Sequence, residues 1–137
     1  MKLSNLLFIN AFLFIGLGIA FALYGPLMIN SYGMLDIPGA EGAAYWFAAS
    51  FARLLGAALF GFGFLIWAVR DLLARSTIPP EHVQKTVLAL LLGDIVGLFV
   101  AITQQWQVWV RPAGWATIAI LTLFTIGYAY ILGKKSF

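Results

Sequence analysis

The sequence predicts an all-α integral membrane protein, a single domain over residues 1–137 folded as a four-helix bundle in up-down-up-down order. Three observations predict it. Four apolar stretches are each long enough to cross a hydrocarbon core about 30 Å thick, which takes roughly 20 helical residues. The chain is 63% hydrophobic and 9% charged, far from the roughly 25% charged residues of a soluble domain. All five tryptophans, Trp46, Trp67, Trp106, Trp109 and Trp115, fall near the ends of those stretches, where amphipathic rings prefer the headgroup level.

The first span covers residues 3–24. Ala20-Phe21-Ala22 has the small-x-small form of a signal-peptide cleavage site, but the apolar run is long for a signal segment and is read as a retained span. Asn10, inside it, is expected to hydrogen-bond a neighbouring helix. Gly25-Pro26 is expected to end the helix. The segment that follows, to Gly42, remains apolar, with Asp36 and Glu41 as its only charges. It is expected to lie on the membrane surface or fold over the bundle.

The second span, residues 46–69, carries Arg53. Turned as a helix at about 100° per residue, it gathers Ala49, Ser50, Gly56, Ala57, Phe60 and Phe64 around Arg53 and sends Phe51, Leu55, Phe62, Ile66 and Val69 to the other side. Small residues beside a charge mark a packed face, so Arg53 is expected to point inward. Ala57-xxx-Gly61 is read as packing. Residues 70–85 interrupt the apolar pattern, and Pro79-Pro80 is expected to end any helical extension. Glu81-His82 is read as part of a solvated loop, because adjacent helical side chains diverge and nothing nearby completes a metal shell.

The third span, residues 86–105, presents Asp94 beside Leu90, Gly97, Ala101 and Gln105, and Gly93-xxx-Gly97 offers a flat surface for a neighbouring backbone. Pro112 suits a first helical position and opens the fourth span, residues 113–132. Thr117, Thr122 and Thr125 lie in it, and hydroxyls there usually bond their own i−4 carbonyls. Placing both termini in the cytoplasm puts Lys2, Arg70, Arg75, Lys85, Lys134 and Lys135 inside and only Arg111 outside. That bias predicts a multi-pass protein of the inner (cytoplasmic) membrane.

Only Arg53 and Asp94 among the charged residues lie well within the spans. On antiparallel helices their depths differ by roughly 9 Å, within reach of a bent arginine side chain. Asn10 and Thr125 come out near the depth of Asp94, and Thr122 nearer Arg53. Three outcomes are open: a buried ion pair fixing helix register, an intramembrane path for a proton, ion or substrate, or no pair, with Arg53 reaching the outer interface.

With no cysteine and one histidine, His82, the chain excludes thiol chemistry and bis-histidine haem ligation. It has no basic cluster suited to nucleic acid. It offers no metal shell and no nucleophile with a base, so no residue is assigned to catalysis or to metal, and an enzyme acting alone is disfavoured.

The stretch ARLLGAALFGFGFLIW, residues 52–67, followed by LLGDIVG, residues 91–97, resembles the small four-helix bacterial membrane proteins called DoxX-like. The resemblance rests on Gly, Arg and Trp placement and implies a four-helix inner-membrane fold. Some members of the wider group are linked to quinone-coupled sulfur chemistry, but no catalytic residue of theirs has a counterpart here. Small multidrug transporters have a similar size, yet they depend on a carboxylate in the first helix, where this chain has Asn10.

Three function classes follow. The favoured one is an accessory or scaffold subunit of a larger membrane complex, with Arg53 and Asp94 as a structural pair. The others are a homo-oligomeric carrier or channel using those two residues, and a binder of membrane lipid or quinone. An open cavity near Arg53 would favour the latter two, and a dry, fully paired Arg53 and Asp94 the first.

Overall fold

The computed structural model describes residues 2–39, 41–75 and 78–134, with backbone alone for Ala74 and Arg75. Its α-helices are α1 (Leu3–Ser31), α2 (Ala43–Arg75), α3 (Pro80–Gln107) and α4 (Ala113–Lys134), with a short 3-10 turn at Met34–Asp36. All four helices are long and apolar enough to cross a membrane, and no strand occurs among the described residues. Lys135 and the side chain of Arg75, both counted in the charge bias, lie outside what is described.

Two proline positions behave differently from expectation. Pro26 lacks an N–H and its ring crowds the carbonyl one turn earlier. The chain absorbs this with a kink at Tyr24 (φ −116°, ψ 35°), and α1 then continues to Ser31. Pro80 starts α3 instead of ending α2, because an N–H is not needed in the first helical turn. Glu81 and His82 therefore stand in the first turn of α3, not in a loop, and Lys85 Nζ donates to Glu81 Oε1 at 2.6 Å.

A seven-residue repeat governs packing. On α1, Ala11, Gly18 and Gly25 recur at that spacing, and on α2 so do Ala49, Gly56 and Gly63; all six are buried. The two rows face each other antiparallel. A Cβ placed on Gly18 would sit 2.5 Å from the Phe60 backbone nitrogen, and one on Gly63 2.8 Å from that of Ile15, so the backbones themselves are in contact. Arg70 extends the row, its Nε donating to the carbonyl (3.3 Å) and hydroxyl (3.2 Å) of Ser4. The packed face is centred on the Ala49–Gly56–Gly63 row and the adjoining row of Ala52 and Ile66, not on Arg53. Ile66, expected on the lipid side, is therefore buried, whereas Gly61, of the expected Ala57-xxx-Gly61 contact, faces open space.

Between α3 and α4 the spacing is wider and set by side chains. A Cβ on Gly97 would meet only the Leu121 methyls, at 3.6 Å, and Gly93 faces open space. Gly93-xxx-Gly97 therefore brings no backbone close, contrary to expectation. The buried core gathers the start of α1 (Leu3, Leu6, Leu7), the end of α2 (Ile66), the start of α3 (Val83, Val87) and the end of α4 (Phe124, Tyr128, Ile131). This is the terminal end of the bundle. The opposite, loop end carries residues 32–39 and 41–42 and the α3–α4 turn.

Candidate functional site: a buried polar centre and an apolar cavity

The polar centre is built from α1, α3 and α4. Asn10 Nδ2 donates to the Tyr128 hydroxyl at 2.7 Å, the helix-to-helix bond expected of Asn10, and both side chains are sealed, at 1% and 0% exposure. Asp94, only 6% exposed, shares a seven-residue row with the buried Val87 and Ala101. It stands near Tyr128. Asn10 Oδ1, Asp94 Oδ2 and Thr125 Oγ1 are buried without hydrogen-bond partners. Thr122 is not part of this centre, since its hydroxyl donates back to the Ile118 carbonyl at 2.7 Å.

Arg53 and Asp94 do not pair. The ion pairs of the described residues are Arg70–Asp71, Lys85–Glu81 and Arg111–Asp36. Arg53 is exposed, and its stem lies across α1, where a Cβ on Gly25 would be 3.0 Å from Arg53 Cγ and 3.6 Å from Nε. The cause is the backbone contact between α1 and α2. A face close-packed through Ala49 and Gly56 has no room for a guanidinium, so Arg53 is displaced to its edge. The structure thus gathers Asn10 and Asp94 about Tyr128 and leaves Arg53 and Thr122 elsewhere.

At the loop end, Arg111 and Asp36 form the bidentate pair that the sequence reading had not foreseen, with Nε to Oδ2 at 2.7 Å and Nη2 to Oδ1 at 3.1 Å. Val110 N–H donates to the Tyr32 carbonyl at 3.2 Å, and the Tyr32 hydroxyl shares a 2.7 Å hydrogen bond with Thr117 Oγ1. Gly33, at φ 97°, makes the turn that aims Tyr32 and Asp36 at α4 and the α3–α4 turn. The apolar segment therefore folds over the bundle.

Beneath it is a cavity of about 390 Å³. Its lid is Tyr32, Met34 and Ile37, and Trp109 closes one flank, its ring 4.7 Å from that of Tyr32. Ala48, Phe51, Ala52 and Leu55 line it from α2, and Phe21 and Ile29 from α1. Arg53 is not in its wall. Ala52 is the one small residue in a seven-residue row that otherwise carries Tyr45, Leu59, Ile66 and Leu73, so at the loop end it leaves open the kind of space that Ile66 and Leu73 fill at the terminal end. The sequence carried that signal in the change along the row from Ala to Ile and Leu.

No group of three His, Cys, Asp or Glu side chains suited to a metal ion occurs among the described residues. No protein-family model matches the chain, and comparison with curated proteins and with solved structures gives no match.

Proposed function

We propose that this is a four-span protein of the inner membrane, up-down-up-down with both termini cytoplasmic, that takes one hydrocarbon chain of a membrane lipid into its loop-end cavity. The observation that carries the reading is the apolar cavity itself. Its volume falls within the roughly 300–1,000 Å³ usual for ligand sites. Two of its lining residues, Phe51 and Leu55, are also exposed on the outer surface, so its wall is continuous with the apolar side of α2. In a bilayer that side meets lipid tails, which supplies the occupant at high local concentration. The tail of a membrane quinone has the same chemistry.

An accessory role in a larger complex was favoured because no catalytic constellation is visible, and the Arg53–Asp94 pair that would have marked it is not formed. The carrier reading needed the same two residues in one site, and they stand apart. The cavity favours the lipid-binding class over both.

The test is native mass spectrometry of the protein released from membranes in mild detergent. The wild type should carry one lipid, and Ala48→Trp, which fills the cavity from a partly exposed position, should lose most of it at an unchanged melting temperature. Equal occupancy in the two proteins would overturn the reading. Solvent extraction then tells a phospholipid from a quinone, the latter by its ultraviolet absorption. For topology, Glu41→Cys and Gln84→Cys in this cysteine-free chain should label from opposite sides of intact cells.

A further inference from the structure

We infer that Asp94 is a proton-binding site, a neutral carboxylic acid held in the polar centre with Asn10 and Tyr128. The inference is independent of the lipid cavity and rests on what surrounds the carboxyl group. A carboxylate at the middle of a bilayer is costly unless something neutralises it. Removing water from a charge without giving it a partner is costlier than any single hydrogen bond recovers.

Among the described residues, no helix supplies the neutralising charge. From α4, the titratable group near Asp94 is Tyr128, and from α1 the neighbour of that tyrosine is the uncharged Asn10. On α2, Arg53 lies over Gly25, while Arg70 is engaged with Ser4 and Asp71. On α3 itself, His82 and Lys85 stand at the exposed start of the helix, with Lys85 held by Glu81. No lysine, arginine or histidine nitrogen among the described residues lies within 4.0 Å of the Asp94 carboxylate.

The hydrogen-bond inventory points the same way. Asn10 Oδ1 and Asp94 Oδ2 are both buried acceptors with no donor. An ionised carboxylate would add only acceptors to this centre, whereas the acid form brings one O–H donor. A metal ion would require several more oxygen ligands, and no group of three His, Cys, Asp or Glu side chains suited to one occurs among the described residues. A proton needs one oxygen, and that is what the site offers.

The test is reaction with dicyclohexylcarbodiimide, which partitions into bilayers and reacts with carboxylic acids. The acid proton passes to a carbodiimide nitrogen as the carboxyl oxygen bonds the central carbon. The resulting O-acylisourea rearranges by acyl shift to a stable N-acylurea, with every atom retained and nothing oxidised. In phosphatidylcholine vesicles the wild type should gain one adduct, mapped by peptide mass spectrometry to Asp94. Its rate should fall by at least about tenfold from pH 5 to pH 9 as the acid form is depleted. Asp94→Asn should gain none.

Thermal melting across the same pH range gives a readout that does not depend on reagent access. A group that binds its proton more tightly when folded contributes stability that is full at low pH and lost as pH rises. The wild type should therefore lose stability toward alkaline pH relative to Asp94→Asn, which keeps the neutral shape at every pH. Absence of an adduct on Asp94 in folded protein at pH 5, a labelling rate that does not fall with pH, or parallel melting profiles for the two proteins would each overturn the assignment.

Discussion

At the terminal end, Leu7, Val87, Tyr128 and Ile131 come from three helices and are completely enclosed by one another and their neighbours. At the loop end, the space bounded by α1, α2 and the α3–α4 turn stays open and is closed over by residues 32–37, tied through Asp36 to Arg111. The same α1–α2 contact runs through both ends, so it does not cause the difference. The difference follows Ala52, the one small residue of its row on α2, against Ile66 and Leu73 at the terminal end. A single repeat thus builds a packed core and a cavity in one helix pair, and substitutions should separate the two.

The largest effect is expected at neither end but in the contact common to both. Gly56→Leu would drive a side chain into the backbone of Phe21 and Ala22, and no rotamer relieves a clash with backbone. The α1–α2 pair should fail to form, seen as loss of monodisperse protein on gel filtration; a well-folded Gly56→Leu protein would break the account of this contact. Next comes Tyr128→Ala, which empties the most enclosed position of the terminal end and strands Asn10 Nδ2. A loss of about 3–5 kcal/mol in detergent unfolding is expected, as for other large-to-small changes in cores. Asn10→Ala removes the same hydrogen bond from the other side and should cost about 1–3 kcal/mol.

Much of this was legible in the sequence, and the failures have definite causes. The number of helices, the burial of Asp94, the role of Asn10 and the back-bonding of Thr117 and Thr122 follow from local chemistry and helical geometry. Whether Arg53 meets Asp94 is not decided by the sequence, because a helical wheel fixes the direction of a side chain relative to its own helix and not which helix it will face. Tyr128, uncharged and set in an apolar helix, gives no signal that it bonds Asn10. Ala11, Gly18 and Gly25 at seven-residue spacing were visible, but a search for small residues four apart passes over them. The Asp36–Arg111 pair depends on the first loop reaching the last turn, a distant contact that no local pattern encodes.

At the loop end, effects on stability should be small. Asp36→Asn weakens a pair that is nearly half exposed, and such pairs contribute little. Its mark should be local: amide hydrogen exchange in residues 32–37 should quicken while the terminal end is unchanged. Uniform quickening across the chain would mean that the lid is integral to the core.

The most direct test of the central claim, that the loop end holds a hydrocarbon chain, is photolabelling in liposomes with a phospholipid bearing a diazirine on one acyl chain. The account predicts crosslinks concentrated at Phe21, Met34, Phe51 and Trp109, and their loss in Ala48→Trp. Crosslinks spread evenly over outward-facing residues such as Phe12, Phe99 and Leu123, and unchanged by Ala48→Trp, would contradict it.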